Sequence, residues 1–165
     1  APGDDWFAML MLNAAAKVET NIVPFSGDGP SWQAALAGHT DASANNLSIV
    51  YSQIKAGKLR ALGLMADKRT PFLPDVPTFK ELGYDFISGS ARGFSMPKGT
   101  PKEIVTIFAS TVKQVMDSAE FKSNAEKTAF PSDYQNPEEY AAYLKKLEGV
   151  YRPLWEKYGK SALGK

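Results

Sequence analysis

The chain has 165 residues, 44% hydrophobic and 22% charged, a balance that suits one sizeable core or two small ones and excludes a disordered chain. Nineteen Lys and Arg stand against 18 Asp and Glu, so no global field draws in nucleic acid or an anionic membrane. Cysteine is absent, which excludes disulfides, thiolate nucleophiles and cysteine-held zinc.

The apolar run from Trp6 to Ala16 is too short to span a bilayer and has no basic residue before it, so it reads as neither membrane anchor nor signal peptide. Phe7, Leu10, Met11, Ala14, Ala15 and Val18 recur at three and four, which predicts a helix with one buried stripe. Gly3, Asp4 and Asp5 open it, and acids there suit the positive end of the helix dipole.

Residues 21–25 form a short apolar run that predicts a strand, and Ser26, Gly27, Asp28, Gly29 and Pro30 make a turn leading into a helix over 31–37. The unit then repeats. Residues 41–44 are small and extended, Asn45 and Asn46 form a polar junction, and Ile49, Val50 and Ile54 mark a helix over 47–56 that Gly57 ends. Residues 58–66 have apolar groups on both faces, as a covered strand would. The alternation predicts an α/β fold with a largely parallel sheet covered by helices, and ligands in such sheets bind at the carboxyl ends of strands.

Pro71, Pro74 and Pro77 interrupt any helix or ladder. A helical turn or two follows over 78–82, stopped by Gly83, and 84–96 is again extended. The remainder is helical. Pro101 starts a helix with Ile104, Val105, Phe108, Val112, Val115 and Met116 on one side, and a short helix covers 120–127. Pro137 opens a longer one through about Tyr158, which Pro153 should bend, and the tail from Gly159 is expected to fray.

Four places carry polar groups that suit a ligand. At Gly3, Asp4 and Asp5, unpaired backbone N–H groups and the dipole suit an anion, although an ordinary cap explains the same residues. Phe25, Ser26 and Gly27 lie at a strand end where glycine allows close backbone approach; a plain turn is the alternative, and the Lys and Ser or Thr of a phosphate loop are missing. Asn45 and Asn46 offer amides at the next strand end, or cap the helix that follows. Arg92 has the fork geometry for a carboxylate, or is a surface arginine. His39 is the single histidine, has no partner pattern for a metal site or triad, and reads as solvent-exposed. Trp6, Trp32 and Trp155 read as core, and no catalytic residue, metal ligand or cofactor motif is assigned.

The order of landmarks resembles the solute-binding proteins of tripartite tricarboxylate transporters, also called Bug receptors. The matching stretches are Gly3 to Asp5, VPFSGDG at Val23 to Gly29, LAGHTDA at Leu36 to Ala42 and IKAGKLRALGL at Ile54 to Leu64. They continue with Lys68 and Arg69, LPDVPTFKELGYD at Leu73 to Asp85, RGFSMPKGTP at Arg92 to Pro101, and NPEEYAAYL at the last long helix. The helix start departs from the Gly- and Ser-rich loop of many relatives by carrying Asp4 and Asp5.

The resemblance implies a periplasmic binding protein type II-like lobe over 1–89, with 90–165 as a crossing segment and the carboxyl-terminal part of the other lobe. The opening half of that lobe is expected to lie outside these residues, as is any signal peptide. It implies a periplasmic receptor, not an enzyme, which captures a small carboxylate by hinge closure and passes it to membrane permease subunits. A small α/β enzyme, a hydrolase or transferase, is the rival reading, although no G-x-S-x-G elbow occurs. A third reading is an interaction module, in which two copies of the chain pair through exposed surfaces of the later helices.

Overall fold

The computed structural model describes residues 3–162, and six helices carry most of them. They are α1 (Asp4–Ala16), α2 (Asp28–Leu36), α3 (Leu47–Lys55), α4 (Lys102–Asp117), α5 (Ala119–Lys127) and α6 (Pro137–Ala162). Helix α2 begins three residues before the expected start, because Pro30 falls in its first turn, where a missing N–H costs nothing and the fixed φ suits the helix. No helix among the described residues is long and apolar enough to cross a membrane.

Helices α2 and α3 end alike. In each, a glycine in the left-handed region follows the C-cap, Gly38 at φ 75° and Gly57 at φ 68°. The next amide reaches back five residues, His39 to the Ala34 carbonyl and Lys58 to that of Gln53, both at 2.9 Å. This is the Schellman closure, and only glycine takes that backbone without strain. His39 is exposed there.

The expected strand ladders are not found among the described residues. One parallel bridge joins Leu64 to Thr78. Around it the Leu64 amide donates to the Pro77 carbonyl, the Phe79 amide to that of Leu64, and the Ser88 amide to that of Met65, each at 2.9 Å. Residues 21–25, 41–44, most of 58–66 and 84–96 form no strand. A strand needs a neighbour as well as a pattern: Val23 and Phe25 remain 48% and 38% exposed, 41–44 are small residues of low strand preference, and the prolines remove donors from the crossing.

The turn after the bridge is closed on itself. The Thr78 hydroxyl accepts from the Glu81 amide at 3.1 Å, and the Glu81 carboxylate accepts from the Thr78 amide at 2.7 Å, a reciprocal capping box. Arg69 grips both Glu81 oxygens through Nε, at 3.0 and 3.1 Å, and donates from Nη1 to the Pro74 carbonyl. That partner, together with the Thr78 amide, holds the Glu81 carboxyl down at about 2.

The chain divides into an N-terminal unit, residues 1–90 with 154–165, and a middle unit, residues 91–153. The N-terminal unit buries Ala8, Leu10, Ala34, Val50, Leu73, Thr78 and Phe86. Within it Trp6 meets Trp155 edge to face at 6.3 Å, and α2 packs against α3. Trp6 and Trp32 are half-buried, whereas Trp155 is 40% exposed, so the expected core role holds only in part. In the middle unit α4 packs against α5, and only Ala125 and Ala129 are buried. Of the apolar side of α4, Ile104, Phe108 and Val115 are exposed, and Val105, Val112 and Met116 are half-buried. Helix α6 runs on past Pro153 and past the expected fraying at Gly159, which is buried beneath the Trp155 ring.

Candidate functional site

The three helix starts of the N-terminal unit share one property: none is closed by a side-chain capping bond. Gly3 and Gly27 cap α1 and α2 and have no side chain to offer; Asn46 stands at the N-cap of α3 but makes no capping bond. The first amides of a helix have no acceptor within it, so bare starts leave N–H donors at the positive end of the dipole.

Two of the four expected clusters meet. Asp5, in the first turn of α1, lies beside the carboxyl of Asp28, the first residue of α2, close enough for the two to share a proton. A bond between two carboxyls needs a proton, and burial, that bond and the charges of Asp4 and Asp28 together raise Asp5 to about 7. Near neutrality Asp4, Asp5 and Asp28 together thus carry less negative charge than three free aspartates would. Gly3, Asp4 and Asp5 are joined in this way to the turn of Phe25, Ser26 and Gly27 that leads into Asp28.

Asn45 and Asn46 open α3, which packs against α2. The Asn45 amide nitrogen donates to the Ser43 hydroxyl at 2.7 Å, while its Oδ1 is buried and accepts from no described residue. The hydroxyls of Thr40 and Ser88, in the same unit, are likewise buried without partners. Such oxygens ordinarily find a donor, because leaving one unmade costs about 1–3 kcal/mol. Arg92 lies in the middle unit, exposed, with its guanidinium carbon 5.3 Å from the centre of the Phe130 ring.

Asp28, Thr40 and Ser88 were not singled out from sequence. Asp28 was legible in principle as a first-turn acid, but placing the helix start at Ser31 left it in a turn. A buried hydroxyl leaves no mark in composition or periodicity.

Uncapped helix starts and amide groups in the N-terminal unit are of the kind that hold an anion rather than break bonds. The chain belongs to the tripartite tricarboxylate transporter receptor family, whose model matches residues 5–158. A "UPF0065 protein in gbd 5'region" of Cupriavidus necator is 31% identical over 142 residues, covering 86% of this chain and 43% of that protein. Among solved structures, a TctC solute-binding protein from Polaromonas superposes with TM-score 0.75 at 27% identity, over 92% of this chain and 52% of that one. MatC from Rhodopseudomonas palustris with bound malate superposes with TM-score 0.70 at 28% identity, over 90% and 51%. The chain spans about half the length of these relatives. The family is one of receptors and the Polaromonas structure is a solute-binding protein, so the hydrolase or transferase reading is set aside.

Proposed function

We propose that this chain serves in a periplasmic receptor that captures a small carboxylate for a tripartite tricarboxylate-type transporter and delivers it to the membrane permease subunits. The observation that carries the reading is the set of bare helix starts in the N-terminal unit, two of them joined through Asp5 and Asp28. Amides at such starts hold a carboxylate without a cationic side chain nearby. Gly3, Asp4, Asp5, Phe25, Ser26, Gly27, Asn45 and Asn46 are the proposed ligand groups there, and Arg92 a further carboxylate partner in the middle unit. Family membership supports the periplasmic setting, and the malate in MatC supports the ligand class. Residues 1–89 are proposed as one lobe and 90–165 as the crossing and part of the other; the division between Ser90 and Ala91 supports that boundary. Isothermal titration of the protein expressed from its whole reading frame, with malate, adipate and citrate, is expected to give saturable heat with at least one. Silence from all three would refute the ligand class.

The uncovered apolar face of α4, with Ile104, Ile107, Phe108 and Val115 exposed, supports a second proposal, that two copies of the chain pair there. Light scattering at rising concentration reads dimerisation directly, and a constant monomer mass counts against it.

A further inference from the structure

We propose that Phe130 and Tyr140 are positioning residues that hold the 92–94 segment rigid, so that Arg92 is preset to receive a carboxylate. The inference rests on the reading of Arg92 as a ligand group. Three consecutive residues of the middle unit each lie against an aromatic ring of that unit. The Arg92 guanidinium carbon stands 5.3 Å from the Phe130 ring centre, within cation–π range. Gly93 lies so close to Tyr140 that an added Cβ would overlap its Cζ, Cε1 and Oη atoms. Phe94 meets Phe108 edge to face at 5.1 Å. Gly93 is therefore glycine because of a neighbour's ring, not to let the chain bend.

The rings themselves are fixed. Phe130 is set by the end of α5, where its amide donates to the Ala125 carbonyl at 2.8 Å and the Ala129 amide to that of Glu126 at 3.2 Å. Ala129 takes the left-handed conformation usually left to glycine, at φ 50°, and its methyl is fully buried. Tyr140 sits in the first turn of α6, closed by the reciprocal Asn136 and Glu139 bonds at 2.9 Å, and its ring stacks with that of Tyr143. Arg92 makes no hydrogen bond or ion pair among the described residues, so its forked N–H donors remain for an acceptor. A guanidinium held on a ring loses less freedom on meeting a ligand than a free one does.

The test is titration of the full-length protein with malate, adipate and citrate, in parent, Arg92→Ala, Phe130→Leu, Phe130→Tyr and Arg92→Ala/Phe130→Leu forms. Arg92→Ala should weaken binding about 10–100-fold and Phe130→Leu about 3–10-fold, with Phe130→Tyr restoring affinity because the ring is kept. In the double variant Phe130→Leu should add nothing; a further loss there would mean that Phe130 acts without Arg92 and would overturn the proposal. Arg92→Ala with parental affinity sinks the ligand role of Arg92 and the proposal with it. Weakened Arg92→Ala beside unchanged Phe130→Leu sinks the positioning role alone. No heat in the parent sinks the carboxylate reading itself. Should Phe130→Leu not fold, the motion of the Arg92 Nε–H in the parent decides by NMR relaxation: an ordered side chain supports the proposal and free rotation overturns it.

Discussion

The helix starts of the N-terminal unit are bare, whereas two of the three in the middle unit are closed by side chains. Ser118 accepts from the Phe121 amide at the start of α5, and Asn136 and Glu139 bond reciprocally at the start of α6, while α4 begins on Pro101 without a capping bond. Burial runs the opposite way, since most buried residues lie in the N-terminal unit and α4 buries none. The unit with more buried residues thus leaves all three of its helix starts uncapped, and in the other the uncapped helix, α4, is also the one that buries nothing.

Substitution can break or sharpen that contrast. The largest effect is expected at Phe86, 8% exposed and 5.4 Å from the Phe79 ring: Phe86→Ala should cost about 3–5 kcal/mol by chemical denaturation. Loss of less than about 1 kcal/mol would mean that the N-terminal unit has no working core.

Next comes Asp5. Its folded pKa of about 7 lies above the ordinary 3.8, so the folded state binds the proton more tightly, and stability falls as pH rises from about 4 to 7 and levels off beyond. Asp5→Asn should flatten that part of the stability profile and, above pH 7, stabilise by about 1–2 kcal/mol once solvent screening of a half-buried group is allowed for. An unchanged slope would contradict the shared proton with Asp28.

A smaller effect tests the helix ends. Ser118→Ala should cost about 1 kcal/mol and leave carboxylate affinity alone, because its hydroxyl closes α5. Asn46→Ala should do the reverse, changing stability by only a few tenths of a kcal/mol while weakening binding, because Asn46 makes no capping bond. Equal stability losses would erase the distinction. Smallest of all, Ile107→Ser on the open face of α4, where Ile107 is 59% exposed, should stay within about 0.5 kcal/mol in thermal denaturation.

The helices were legible because periodicity and punctuation agree: Gly57 and Gly38 stop their helices, and Pro101 and Pro137 mark starts. Strands were less so, since alternation in 58–66 describes one partner of a ladder and says nothing of the other; only Leu64 found a bridge. Of the candidate site, the helix starts at Gly3 to Asp5 and Phe25 to Gly27 were legible, because helix-start chemistry marks the residue types. The approach of Asp28 to Asp5 links positions 23 apart in the chain and becomes visible only with the fold. Arg92 was recognised by type, and the ring beneath it was not, because nothing in the spacing pairs 92 with 130.

The bare helix starts are tested most directly by amide NMR of the full-length protein titrated with malate, adipate and citrate. The account predicts saturable shifts at the amides of Asp4, Asp5, Asp28 and Leu47, in the first turns of α1, α2 and α3, with the closed starts of α5 and α6 unmoved. Shifts confined to the starts of α5 and α6, or none at α1 to α3 with a ligand that binds, would contradict it.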